Sequence, residues 1–371
     1  MKTVKLKDIS INNRGYYGIG ASAVDYDTDK YTYLRITDIN DDGSLNKNGL
    51  MSVDDEKANQ YLLQENDIVF ARTGASTGRN YFYDGEIENM VYAGFLIKFS
   101  LNPELVNPRY IKYYCLSQKY NDWILSSLTG STRPNINEKQ LAEMPIELPE
   151  RQYQDKVVEI MDSLTNKIEL NNEINNNLYE EAVALYKDKF KGIEQGEKTI
   201  GEYMLPKRGK NLLTRDAVEG EIPVVAGGLE PSAYHNQSNT KSPVITISAS
   251  GANAGYTNLW NIPVWASDCS YIDESITKNV YFWYIVLKTR QNEIFDAQTG
   301  SAQPHIYPQH IAEMPIDVLN DDEVEKYNTL VEPLFKMIGN NKTENIKLSQ
   351  LRDALLPKLM NGEIDLDNIE I

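Results

Sequence analysis

The sequence predicts a mixed α/β fold: two globular domains joined and separated by two long antiparallel helices, paired as a coiled coil in a pseudo-two-fold tandem repeat. Three observations predict it. The segment TGSTRPNINEKQLAEMPIE at 129–147 aligns without a gap to TGSAQPHIYPQHIAEMPID at 299–317, with 10 identities. Each copy runs directly into a helical pattern of about 40 residues. Both patterns also break their apolar seam with a pair of asparagines at the same place. Self-similarity at a fixed offset marks a duplicated structural unit.

The helices carry the organisation. Over 150–190 apolar residues recur at Val157, Met161, Leu164 and Ile168, then at Leu178, Ala182 and Leu185, three or four apart. No Pro or Gly intervenes before Gly192, which suits a C-terminal cap. At 1.5 Å per residue such a helix is about 60 Å long. One small domain cannot bury a stripe of that length, so a partner is required. Residues 321–362 supply it, with Tyr327, Val331, Leu334, Ile338, Leu348, Leu355 and Leu359 in the same register. Asn171 and Asn175 interrupt the first seam, and Asn341 and Asn345 the second. Polar seam residues cost stability and fix register and partner choice. Two head-to-tail copies related by a two-fold axis make the helices antiparallel. Pro333 and Pro357 predict local kinks in the second helix.

The boundaries follow: a first domain over 1–149, a central helix over 150–192, a second domain over 193–319, and a C-terminal helix and tail over 320–371. In the first domain TVKLKDI and YTYLRITDIN read as strands. DIVFAR is a short buried strand leading into the loop TGASTGRN, NMVYAGFLIKFS another core strand, and PRYIKYYCLSQKYNDWILSS a helix. In the second domain KTIGEYM, SPVITISASGANAGYTN, IPVWASDCSYI and VYFWYIVLKTRQNEI repeat that plan with different loops. A shared scaffold with divergent loops is what two versions of one recognition module look like.

Composition excludes several classes. There is no run of 18 apolar residues, and the start MKTVKLKDISINN lacks the apolar core of a signal peptide. A cytoplasmic location without membrane association is expected. Cys115 and Cys269 are isolated, as buried free thiols in a reducing compartment are, and His235, His305 and His310 make no metal spacing with them. No metal site is expected. The net charge of −17, spread evenly, argues against simple duplex binding and leaves small basic islands on an acidic body.

The candidate chemistry lies in loops. Arg72, Thr73, Ser76, Thr77 and Arg79 surround Gly74 and Gly78. Glycine lets backbone N–H groups approach phosphate, hydroxyls donate, and arginine pairs with guanine. The same loop can equally be a glycine-rich turn with its arginines in surface ion pairs. It is no Walker loop, because the Gly-Lys-Ser/Thr ending is missing. The neutral counterpart over 248–255 offers Ser250 and Asn253, and the densest basic island of that half is Lys207, Arg208 and Lys210 with Arg215. Such an island is either a solvated face or a phosphate contact. The TGS loops add Thr129, Ser131, Arg133 and Asn135 in one half, and Thr299, Ser301, Gln303 and His305 in the other. Their flanks repeat while their tips differ, as expected of tips reading different bases, although Gly130 and Gly300 also suit a purely structural turn. No catalytic residues emerge: there is no methyltransferase motif, no Walker pair and no triad.

With the two TGS-x-x-P loops leading into AEMPI(E/D), the two-fold repeat, the helices and the ending LRDALLPKLMNGEI, the chain resembles the DNA-specificity subunit of type I restriction-modification systems over its whole length. The resemblance implies two target-recognition domains, each reading half of a split sequence in double-stranded DNA, with the helices as the ruler between them. It implies no catalysis in this chain. Two methyltransferase subunits would supply the S-adenosylmethionine site and methylate adenine, and restriction-translocase subunits, with ATP and Mg, would cleave unmethylated DNA. A coiled-coil adaptor for proteins alone is the alternative, favoured if the loop arginines are dispensable. A standalone nuclease or methyltransferase would need a motif that the chain lacks.

Overall fold

The computed structural model describes residues 1–128, 134–300 and 303–366. The chain divides into two compact units, Met1–Asn166 with Leu348–Ile371, and Lys167–Lys347. The division therefore cuts both long helices, a boundary that the expected four-part division does not draw.

In chain order the strands of the first unit are β1 (Lys2–Lys5), β2 (Tyr16–Tyr17), β3 (Ala23–Val24), β4 (Tyr31–Leu34), β5 (Met51–Val53), β6 (Asp67–Ala71), β7 (Asn80–Tyr83), β8 (Met90–Tyr92), β9 (Leu96–Ser100) and β10 (Pro145–Leu148). Its helices are α1 (Pro108–Tyr114), α2 (Gln118–Ser127) and α3 (Glu138–Ala142), followed by the long α4 (Arg151–Lys189). One sheet has the order β2-β9-β6-β7, a second β3-β5-β4-β8 with β4 and β8 parallel, and β1 pairs antiparallel with β10. All five residues of β6, DIVFA, are buried, as a strand covered on both faces requires. Phe70, Phe82 and Phe99 of the first sheet pack against Tyr110, Ile111 and Tyr120, and Val157 and Met161 of α4 close the same core.

In the second unit come β11 (Lys198–Thr199), β12 (Lys207–Arg208), β13 (Ile222–Val225), β14 (Ala233–His235), β15 (Val244–Ser248), β16 (Thr257–Trp260), β17 (Trp265–Ala266), β18 (Cys269–Asp273) and β19 (Pro315–Ile316). The helices are α5 (Val280–Thr289), α6 (Gln291–Asp296), α7 (Pro308–Ala312) and the long α8 (Asp321–Met360). The main sheet runs β12-β18-β15-β16, the smaller β14-β13-β17 with β13 and β17 parallel, and β11 pairs antiparallel with β19. The strand orders match those of the first unit, element for element, apart from β3. The eight residues Val280 to Leu287 of α5 are all buried. They meet Tyr186 of α4, Phe190 just beyond its end, and Tyr327 and Phe335 of α8 in an aromatic core, with Phe190 and Phe282 centroids 5.0 Å apart.

Within the second unit α4 and α8 run antiparallel: Asn171 meets Asn345, Asn175 meets Asn341, and the Tyr327 hydroxyl donates to the Ala182 carbonyl at 2.8 Å. Asn171 donates to Glu344 at 2.7 Å and to Asn345 at 2.8 Å, and Asn345 donates to Asn172 at 2.9 Å. The seam is not purely helix against helix. Val157 and Met161 are spent on the first unit's core, with Leu355 against it. Val331 and Ile338 belong to the second unit's core, with Leu178 and Leu334 against it, while Leu164, Ile168 and Leu348 are half-buried. Helix α8 continues through Pro333 and Pro357 as one helix.

Four segments differ from expectation, the first being VYFWYIVLKTRQNEI, expected as one helix and divided at Arg290 into α5 and α6. The run NMVYAGFLIKFS is two strands, β8 and β9, separated by a turn at Ala93–Phe95, because Gly94 donates to the Ile19 carbonyl and Leu96 to the Ala93 carbonyl. IPVWASDCSYI divides in the same way into β17 and β18. The expected single helix over PRYIKYYCLSQKYNDWILSS is α1 and α2, because the Ser117 side chain caps a new start by accepting from the Tyr120 N–H.

Candidate nucleic-acid interface

Strand β6 ends at Ala71, and the chain then turns sharply through a loop in which Gly74 has φ +76°. The loop is sewn to the segment that follows the first TGS sequence: Gly74 donates to the Pro134 carbonyl at 3.2 Å, Ile136 to the Arg72 carbonyl at 2.9 Å, and Thr73 bridges Asn135. The second unit repeats the arrangement. Gly251, with φ +82°, donates to the Pro304 carbonyl at 3.1 Å, Ile306 to the Ala249 carbonyl at 3.0 Å, and Ser250 bridges His305. Each unit thus brings its glycine loop and its TGS flank to one edge, as two of the predicted site segments require. Thr129, Ser131, Arg133 and Ser301 lie outside the described residues.

The hydrogen bonds fix a residue-by-residue correspondence. Arg72 corresponds to Ala249, Thr73 to Ser250 and Gly74 to Gly251; Phe95, whose carbonyl accepts from Arg72 at 3.0 Å, corresponds to Asp268, whose carbonyl accepts from Ala249 at 3.1 Å. Tyr17, opposite Ile97, corresponds to Arg208, opposite Ser270. The next residue is glycine in both units, since a Cβ on Gly18 would stand 2.2 Å from the Tyr92 carbonyl oxygen and one on Gly209 2.4 Å from that of Ser267. Scaffold is held constant; chemistry is not.

In the first unit the Arg72 guanidinium lies 5.0 Å from the Tyr17 ring centroid, and its Nε is buried without a hydrogen-bond partner among the described residues. Arg14 lies 4.5 Å over Tyr16. Arg79 is committed elsewhere: it pairs with Asp41 at 2.6 Å and donates to the Ile39 carbonyl at 3.1 Å. Thr77 is also turned inward, donating to the Gly74 carbonyl at 2.7 Å, whereas Asn135 is exposed and Ser76 half-buried. Among the described residues every arginine except Arg14 and Arg72 sits in an ion pair.

In the second unit Arg208 pairs with Asp268, which also accepts from the Ser250 hydroxyl, so two predicted contact residues are tied to one carboxylate. Lys207 donates to Ser275 at 3.3 Å. Lys210 is exposed with no side-chain partner among the described residues, and Gln303 is exposed. Thr299 and His305 exchange backbone hydrogen bonds of 3.0 and 2.8 Å, and the His305 ring stacks on Tyr307. Asn253 is half-buried, and its carbonyl accepts from Tyr256 at 2.9 Å. The sequence reading missed Tyr17, Phe95 and Asp268. Only the pairing of strands brings them beside the loops; an exposed aromatic inside an apolar run carries no local signal.

Among the described residues no group of three or more His, Cys, Asp or Glu is placed to hold a metal, and no helix is long and apolar enough to cross a membrane. Comparison with known proteins gives one answer. Residues 1–180 match the family described as type I restriction modification DNA specificity domain. The first 180 residues carry the resemblance to that type I DNA-specificity family. It is similar to the type I restriction enzyme MjaIX specificity subunit of Methanocaldococcus jannaschii, 24% identical over 301 residues and 70% of each chain. A putative type I specificity subunit of Mycoplasma genitalium is 23% identical over 266 residues, 67% of this chain and 69% of that one. The crystal structure of a type I S subunit from M. genitalium shares the fold at TM-score 0.62 and 19% identity, covering 96% of this chain and 95% of its own. The family match supports DNA target recognition in a non-catalytic role, and the similar proteins are themselves named specificity subunits.

Proposed function

We propose that this specificity protein reads a bipartite target in double-stranded DNA, one half-site per globular unit, and directs adenine methylation by two methyltransferase subunits. Restriction-translocase subunits joining the same assembly would cleave unmethylated DNA. S-adenosylmethionine, ATP and Mg belong to those partners, and the assembly works in the cytoplasm. The observation that carries this reading is the residue-level correspondence between the units, in which one framework presents different side chains: Arg72, Tyr17 and Phe95 against Ala249, Arg208 and Asp268. Modules duplicated for packing alone would have no reason to differ at the exposed edge while agreeing beneath it. The repeated TGS segments and matching strand orders support reading the chain as a tandem duplication, with α4 and α8 as its coiled-coil spacer. Of the expected contacts, Arg72, Asn135, Lys210, Gln303 and His305 are presented to a ligand. Thr77, Arg79, Arg208 and Ser250 have intramolecular partners and act first as supports.

The test is adenine-methylation mapping of a genome in which the chain is co-expressed with its cognate methyltransferase. A new split motif that vanishes when either protein is omitted is the expected result. Co-purification of the two proteins without any motif would overturn the reading in favour of a protein adaptor.

A further inference from the structure

We propose that Phe95 is a base-reading residue of the first unit, its ring packing on the 5-methyl group of a thymine in the major groove while Arg72 addresses the adjoining base pair. This rests on the first unit being a DNA-facing module. Phe95 is 58% exposed, the most exposed aromatic side chain among the described residues. It is not a loose surface residue. Gly94 donates to Ile19 at 2.7 Å, Leu96 to Ala93 at 2.8 Å and Arg72 to the Phe95 carbonyl at 3.0 Å, so the turn that carries it is pinned on three sides. A rigid aromatic presented at an edge loses little conformational freedom on contact.

Its neighbours select the ligand. Among the described residues Arg72 is one of two arginines outside ion pairs, and Tyr17, 42% exposed, lies beneath its guanidinium. A cation beside an apolar ring matches the edge of a base pair next to a thymine methyl, where arginine takes guanine O6 and N7 and an apolar side chain takes the methyl. A phenyl ring gives a phosphate oxygen nothing to bind. The corresponding residue of the second unit, Asp268, is a carboxylate held by Arg208 and Ser250. The position therefore changes chemistry completely between two copies that preserve its backbone hydrogen bonds.

The experiment uses the full chain with its methyltransferase and duplexes carrying the mapped motif. Each thymine of the first unit's half-site is replaced singly by deoxyuridine, which removes only the methyl group. The wild type should lose roughly threefold to fivefold in binding at one position, the factor associated with one buried methyl-sized group. Phe95→Ala should bind the thymine duplex as weakly as the wild type binds the uracil duplex and show no further loss on uracil. Phe95→Leu should recover part of the discrimination. Unchanged recognition of the second half-site reports that the variant is folded. The inference is overturned if no thymine is sensitive, or if Phe95→Ala still distinguishes thymine from uracil. A uniform loss on every duplex also overturns it, since that would make Phe95 a wedge or a structural residue. Absence of any split motif with the wild type would instead sink the DNA-reading function of the whole protein.

Discussion

Arg72 and Arg79 bracket one short loop and look equivalent in the sequence, yet Asp41 separates their roles. Arg79 reaches that carboxylate across 38 positions of chain, and no local pattern announces such a pairing. Arg79→Ala should therefore cost at most about 1 kcal/mol of stability in urea denaturation, as exposed ion pairs do, with little direct effect on base choice. Arg72→Ala should relax recognition at one position of the first half-site by about 1–3 kcal/mol, read from methylation mapping and competition binding. If the two variants behaved alike, the ion pair would not be what divides them. The cysteines were legible from their apolar surroundings. Both are free and buried, and burial pushes the Cys269 thiol up to about 12 and Cys115 higher still. Neither should react with a thiol reagent at neutral pH until denaturant is added, because the reactive form is the thiolate.

At the scale of elements, the paired asparagines of α4 and α8 were visible as interruptions of a seam, and they do meet: Asn341 donates to Asn175 at 2.9 Å and Asn171 to Asn345 at 2.8 Å. Less visible was Glu344, which joins the layer from outside the seam. The Asn171 amide, helped by Lys167, holds its carboxyl below the ordinary carboxylate range. A lowered folded pKa contributes stability that is present above the unfolded value and lost as pH falls through the folded one. Acidification should therefore weaken this layer, and the melting temperature of Glu344→Gln should fall less between neutral and acidic pH than that of the wild type. Invisible altogether was Asn328 on α8. Its side-chain oxygen accepts from the N–H groups of Tyr281 and Phe282 at 3.0 and 3.2 Å and so caps α5, whose own N-cap Asn279 makes no side-chain cap hydrogen bond. Asn328→Ala should lose about 1–2 kcal/mol by thermal or chemical denaturation. A cap supplied by another helix is a tertiary contact, and spacing along α5 cannot encode it.

For the whole molecule, the repeated segments were legible because TGS-x-x-P and AEMPI recur verbatim, and the helices because their three-or-four apolar spacing resumes beyond each asparagine pair. The strand break at Ala93–Phe95 was not, since apolar residues continue across the turn, whereas Ser267 and Asp268 do mark the break in IPVWASDCSYI. Exchanging residues 1–149 for those of another specificity protein should change one half-site only, and matched insertions in α4 and α8 should change the spacer length, both read by methylation mapping. An exchange that altered both half-sites would count against one module per half-site. The last residues have a different reach. Leu366 is 1% exposed within the first unit, where its carbonyl accepts from Lys156 at 2.6 Å, and Tyr153 donates to the Leu359 carbonyl at 2.9 Å. A change that displaces Leu359 or Leu366 would thus injure a core built mostly from residues 1–166, and on the ribosome that unit must wait for residues 348–366 before its core can close.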